Sequence, residues 1–201
     1  MTPQLTISLL ISADGKTVTR SGQSLLSRAS TEYLDRLNAQ RQTADGLLID
    51  ASLPLFEIPQ NTAVIVVGNS ATWQPTVDSL PSSKVLVLDD SDGLTAAKLE
   101  AAAHTLGIQT IHCEPSVQLS RDLLKEEMVD VLNLTVLLSL TGGHAADTIT
   151  GNGAASAFAS SRQFSLISHT QSDNEMHLCY KWNRTSTIPS RESRACGISP
   201  V

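Results

Sequence analysis

Residues 5–18 read LTISLLISADGKTV, an apolar β-branched run that stops at Ser12, Ala13, Asp14 and Gly15. Leu, Ile, Val and Thr in such a run suit a strand covered on both faces, as at the centre of an α/β sheet. Asp-Gly immediately after it is a turn signal, because Gly tolerates positive φ and Asp bonds its own following backbone. Asp14 therefore has two readings. It either caps the turn, or presents a carboxylate outside the carboxyl end of a buried strand, where open α/β sheets bind ligands.

Working outward, the same patterns recur down the chain. Strands are expected near 5–11, 46–50, 63–68, 84–88, 109–113, 131–140, 162–168 and 175–182. The clearest is Ala63–Gly68, AVIVVG. Helices are expected near 31–43, 95–106 and 120–127, with Ser30 or Thr31, Thr95 and Ser120 as N-caps and Gly107 as a C-terminal stop. Pro54 and Pro59 exclude a regular element between the second and third strands. The last two strands are joined by HTQSDN, the pattern of an antiparallel hairpin. Strands alternating with helices up to a closing hairpin imply one α/β domain over 1–184. Its sheet is mostly parallel with an antiparallel C-terminal edge and helices on both faces. Residues 185–201, rich in Ser, Arg, Pro and Gly, read as a disordered tail.

The totals narrow the function classes. A chain of 201 residues, 41% hydrophobic and 17% charged, has the composition of an ordinary globular protein. Seven aromatics (two Trp, two Tyr, three Phe) leave no platform for stacking bases, and a net charge of −6 argues against nucleic acid or an anionic membrane. Cys113, Cys179 and Cys196 lack CxxC spacing, so neither a disulfide framework nor a structural zinc site is expected. The N-terminus MTPQLTISLL has no basic n-region, no apolar stretch reaches membrane-spanning length, and a cytoplasmic setting is expected.

Motifs of the common mechanisms are missing. Neither a P-loop nor GxGxxG occurs, GxSxG is absent, and Gly151–Asn152–Gly153 is a lone GxG after a loop. The five histidines are scattered without HxxxH spacing, so no metal site is expected. Asp89-Asp90-Ser91-Asp92-Gly93 lacks the later glutamate of a calcium loop and reads as a solvated turn. Three strand-end groups remain as candidates for one cleft: Asp14, the segment from Ala44 and Asp45 to Ser52, and Glu114.

Taken together, ISADGKTVTRSGQS, QRQTADGLLID, LGIQTIHCEPSVQLSRDLLKEEMVDVLNLTVLLSLTGG and the closing GNG…FSLIS…MHLCYKW resemble, in order and spacing, the reductase domain of riboflavin-biosynthesis deaminase-reductases. The resemblance covers about residues 5–184. It implies a dihydrofolate-reductase-like fold, a homodimer, and NADPH-dependent reduction of a small-molecule ribosylaminopyrimidine. It also implies Asp14 and Glu114 as catalytic residues and Ser27 and Arg41 on the substrate side, with Arg suited to phosphate or carboxylate. Ala51, Ser52 and Ser116 fall where the cofactor binds.

The chain departs from the family pattern on that cofactor side. The family's G-x-x-T is Asp50–Ala51–Ser52–Leu53, its D-[DN]-P loop is missing, and the glycines after Glu114 are Pro115 and Ser116. Leu25 stands at the family's Trp. Pro removes a donor, and a carboxylate near a phosphate repels it. Two readings follow: a divergent reductase of a pyrimidine- or pterin-like ring, or a non-catalytic relative that binds or scaffolds.

Overall fold

Residues 5–18 hold most of the first strand and the turn that follows it. In the computed structural model, which describes residues 2–53, 57–60, 62–69, 77–78, 80, 84–142, 148 and 163–183, that strand lies inside an eight-stranded sheet. The elements in chain order are β1 (Gln4–Ser12), a 3-10 turn (Leu25–Arg28), α1 (Thr31–Thr43), β2 (Gly46–Asp50), β3 (Ala63–Gly68) and β4 (Val85–Asp89). They continue with α2 (Ala96–Leu106), β5 (Thr110–Cys113), α3 (Val117–Lys125), β6 (Val131–Leu137), β7 (Phe164–Gln171) and β8 (Glu175–Trp182). The strand order is β4-β3-β2-β5-β1-β6-β8-β7. All pairs from β4 to β6 are parallel, and β8 joins β6 antiparallel with β7 outside it. The expected fold class is the one observed.

Alternation within the central strands sorts their side chains into two layers. Leu48, Ile65, Val67, Ile7, Ile111 and Cys113 pack with α2 and α3 through Leu99, Ala102, Ala103, Leu119 and Leu123. On the opposite face Leu10 packs with Tyr33 and Leu37 of α1, while Leu47, Ile49, Val64 and Val66 meet Ile58. Each fully buried Leu, Ile or Val contributes roughly 1.5–3 kcal/mol of transfer free energy. Both faces of β2 and β3 are buried, which is why those strands read as unbroken apolar runs.

Caps set the helix ends. Ser30 Oγ accepts from the Tyr33 amide (3.0 Å) and Thr95 Oγ1 from that of Lys98 (3.3 Å). Gly107 closes α2 at φ +70°, where any Cβ would be strained.

Three boundaries differ from expectation. Helix α3 begins at Val117, capped by Ser116; Ser120 is fully buried one turn in, its hydroxyl donating to the Ser116 carbonyl at 2.7 Å. Strand β6 ends at Leu137, because the Leu138 amide turns to Asn174 O (2.8 Å) and that of Ser139 to Leu137 O (2.7 Å). Leu138 and Leu140 are then left exposed, so their apolar character misled the strand assignment. Strand β7 runs on to Gln171 past a register shift between Leu166 and Ser168, since pairing to β8 carries His169, Thr170 and Gln171 in a solvated edge strand. The expected Gly151–Gly153 loop and the tail after Thr185 lie outside the described residues.

Candidate functional site: the carboxyl edge of the sheet

Because β1 to β6 all run parallel, their carboxyl ends line one edge. The chain leaves β1 towards β2 on one side and reaches β6 on the other, so the strand order reverses around β1, as at ligand-binding crevices of open α/β sheets. Along that edge stand Asp89 at the end of β4, Asp50 at the end of β2, Glu114 after β5 and Asp14 after β1.

Asp14 is held by its own surroundings. Its Oδ1 accepts from Ser12 Oγ (2.6 Å) and the Thr141 amide (3.0 Å), and its Oδ2 from the Gly142 amide (2.8 Å). These bonds, led by that from Ser12, hold its carboxyl far below the usual carboxylate range. The two readings of Asp14 therefore merge: it closes its turn and fastens the loop after β1 to the loop after β6.

Arg41 and Glu114, 73 residues apart, form one cluster. Arg41 Nε meets Glu114 Oε1 at 2.7 Å and Nη2 meets Oε2 at 2.7 Å, a two-pronged pair. Arg41 Nη1 donates to Asn38 Oδ1 (2.8 Å), and His112 Nε2 lies 3.3 Å from Glu114 Oε1. Burial alone would push the Glu114 carboxyl up; the His112 and Arg41 contacts outweigh it and hold it low. Tyr33 is pushed well up by burial and by the Glu114 charge. His112 is 2% exposed, and its Nδ1 meets no protein partner. Cys113 is buried with its thiol pushed far up by burial, so it is inert as a nucleophile.

The three positions expected to meet a cofactor are engaged locally. The Ala51 amide donates to Val67 O (2.9 Å). The Ser52 amide (2.8 Å) and hydroxyl (2.6 Å) both donate to Asp50 Oδ1, and the Leu53 amide to Asp50 O (3.1 Å). Ser116 Oγ caps α3 by accepting from the Leu119 amide at 3.2 Å, and Pro115 has no amide hydrogen. A dinucleotide needs free amides and close backbone approach for its phosphates. The donors here are taken and a carboxylate stands among them, so these residues do not fit NADPH well.

Ser27 sits exposed in the 3-10 turn, its hydroxyl donating to Ser24 O at 3.2 Å. Sequence reasoning overlooked what adjoins it. A cavity of about 490 Å³ opens between the loop after β1, the 3-10 turn and the loop after β6, lined by Thr19, Arg20, Ser21, Arg28, Leu140 and Thr141. The polar residues Ser21, Gln23 and Ser24 mark this loop in the sequence. Among the described residues no group of three or more His, Cys, Asp or Glu gathers as a metal site, and no helix is long and apolar enough to cross a membrane.

Comparison with known proteins gives this geometry a setting. The sequence profile of the RibD C-terminal domain matches residues 3–178. No curated protein matches the sequence. Among solved structures, RibD of Acinetobacter baumannii is similar at 16% identity and a TM-score of 0.71, over 90% of this chain and 58% of that one. The riboflavin biosynthesis reductase Rib7 of Saccharomyces is similar at 14% identity and TM-score 0.63, covering 90% of this chain and 89% of its own. Dihydrofolate reductase from Enterococcus faecalis, complexed with NADP(H), is similar at 14% identity and TM-score 0.52, covering 91% and 98%. At these identities the likeness speaks for the fold, which is dihydrofolate-reductase-like.

Proposed function

This chain belongs to the RibD C-terminal domain family, and on that premise we propose that it is a divergent reductase of a ribosylaminopyrimidine or a related pyrimidine or pterin compound, with a weakened hold on NADPH. The observation that supports it is the intact β1/β6 end of the cleft, where Asp14 fastens the two loops that flank a roomy cationic cavity. In a reduction of this class the protein's part is to hold two ring systems close and orient them. In this reading Asp14 and Glu114 act by positioning, Asp14 on the loops and Glu114 on Arg41, while Ser27 faces the substrate side.

A second reading, a catalytically degenerate binding or scaffolding subunit, is favoured by one specific feature: Asp50 takes both Ser52 donors where a phosphate would need them. NADPH titration followed by fluorescence, together with turnover of a ribosylaminopyrimidine, tests both. Weak but measurable NADPH binding with slow turnover is expected. Micromolar or tighter binding would contradict the weakened cofactor side, and absent binding and turnover would favour the second reading.

We also propose a homodimer in the cytoplasm. Leu166 and Ile167 of the edge strand are 51% and 56% exposed, and a second copy covering that hairpin would remove them from water. A monomeric mass in light scattering would contradict this.

A further inference from the structure

We propose that Glu175 is a positioning residue of the cleft: acting through Ser30, it fixes the 3-10 turn that walls the cavity. The inference rests on the reading above only for calling that cavity the substrate cleft.

Glu175 opens β8 opposite Leu137 of β6 and is 1% exposed. Its Oε1 accepts from the Ser30 amide (2.7 Å) and its Oε2 from the Ser30 hydroxyl (2.6 Å). With its proton directed to Glu175, Ser30 Oγ turns a lone pair to the Tyr33 amide (3.0 Å) and caps α1. The arrangement is a capping box whose acid comes from elsewhere in the fold. In the usual form the third helical residue supplies the carboxylate that reaches back to the cap amide. Here that residue is Tyr33, and the carboxylate arrives from 145 residues on. A buried carboxylate is costly unless it is paired and hydrogen-bonded, and Glu175 has both kinds of partner. Arg36 Nη2 lies 3.7 Å from its Oε2, while Arg36 Nη1 holds Glu32 Oε1 at 2.9 Å. The N-terminus of α1 also favours negative charge.

What lies just before Ser30 carries this clamp to the cleft. The 3-10 turn Leu25–Arg28 ends at Ala29, whose amide donates to Leu26 O at 3.2 Å. Leu25 packs with Leu10, Tyr33, Leu37 and Leu137 and anchors one end of the turn. The Ser30–Glu175 clamp anchors the other. Between the two anchors Leu26 and Ser27 are exposed and Arg28 lines the cavity. Asp14 does the same for the facing wall, where Thr141 lines the cavity.

The test is amide hydrogen exchange of the full chain, without cofactor, for the wild type and Glu175→Gln. The variant keeps one acceptor oxygen and loses the charge. Exchange at Ser30 and Tyr33 should accelerate roughly tenfold or more, and Ala29 of the turn should follow. Ala44, bonded to Gln40 at the far end of α1, should keep its rate. Unchanged rates at Ser30 and Tyr33 overturn the clamp. Acceleration spread evenly over α1 and β6 shows a residue that serves global stability, and overturns the positioning role. Should Glu175→Gln not fold, Ser30→Ala, which removes the hydroxyl between Glu175 and Tyr33, carries the same comparison at Ala29 and Ala44. With NADPH and a ribosylaminopyrimidine, Glu175→Gln should raise KM by roughly threefold or more with kcat little changed. An unchanged KM would detach Glu175 from the cleft. Absence of turnover in the wild type would count against the reductase reading, and exchange would still decide the clamp.

Discussion

The two ends of the sheet's carboxyl edge use the same device to different effect. At the β1/β6 end Asp14 ties down backbone amides of the loop after β6, and Arg20 and Arg28 line the cavity beside it. At the β2–β4 end Asp50 and Asp89 tie down the amides of Ser52 and Ser91. There the nearby cation, Lys98, is turned onto the carbonyls of Asp89 (3.3 Å) and Gly93 (2.9 Å). One end therefore keeps two arginines on an open cavity, and the other is closed and acidic. The difference teaches that the same device, a carboxylate bonded to backbone amides, leaves an open cavity at one end of the edge and a closed turn at the other.

Between the ends lies the Arg41–Glu114 pair, and breaking it carries the largest expected effect. Glu114→Gln takes the charge partner from a largely buried guanidinium and should cost roughly 3–5 kcal/mol, read from urea unfolding. Replacing both partners together, Arg41→Met with Glu114→Leu, should restore most of that loss. A loss under about 1 kcal/mol for the single variant would mean the pair is as weak as a solvated one.

The closed end is tested next. Asp50→Gly with Pro115→Gly frees donors and removes a charge, so NADPH should bind more tightly by roughly a hundredfold. No gain in a folded double variant would show that something other than these two residues excludes the cofactor.

At the open end, Asp14→Asn removes the charge from a carboxylate that receives three hydrogen bonds. Amide hydrogen exchange at Thr141 and Gly142 should accelerate relative to the β2–β4 loops, and unchanged protection would remove Asp14 from its fastening role.

The smallest effect is in pH. His177 is held below its ordinary value by burial and by Arg36, so the fold favours its neutral form. The stability this contributes is present above about pH 6.5 and is lost as pH falls from there through the lower folded value. Glu114, Asp45 and Asp14 are also held low. Their contribution persists until pH falls below about 4, where unfolding should steepen. His177→Gln should flatten the upper step and leave the lower one, measured by thermal melts from pH 8 to 3.

What was legible in the sequence was whatever rests on neighbours in the chain. Strands β2 and β3 are short runs buried on both faces, and their expected and observed bounds coincide. Helix α2 carries its own stop signals in Thr95 and Gly107. The cap of α3 was misplaced: Ser120 was expected there, whereas Ser116 caps the helix and Ser120 packs beneath it. Leu138 and Leu140 looked like strand because apolar character is local, whereas the partner that turns β6 aside, Asn174, is 36 residues on.

The sequence by itself determined the layered α/β fold and named Asp14 and Glu114 as strand-end residues of the edge, while the family resemblance added Arg41. Only the tertiary structure decided what they do there. A guanidinium reads in sequence as a free cation, and whether it binds a ligand depends on which carboxylate the fold brings to it. Here the fold delivers Glu114 to Arg41 and leaves Arg20 and Arg28 facing an open cavity. Pairing across 73 residues is set by strand order, and strand order is a property of the packed sheet.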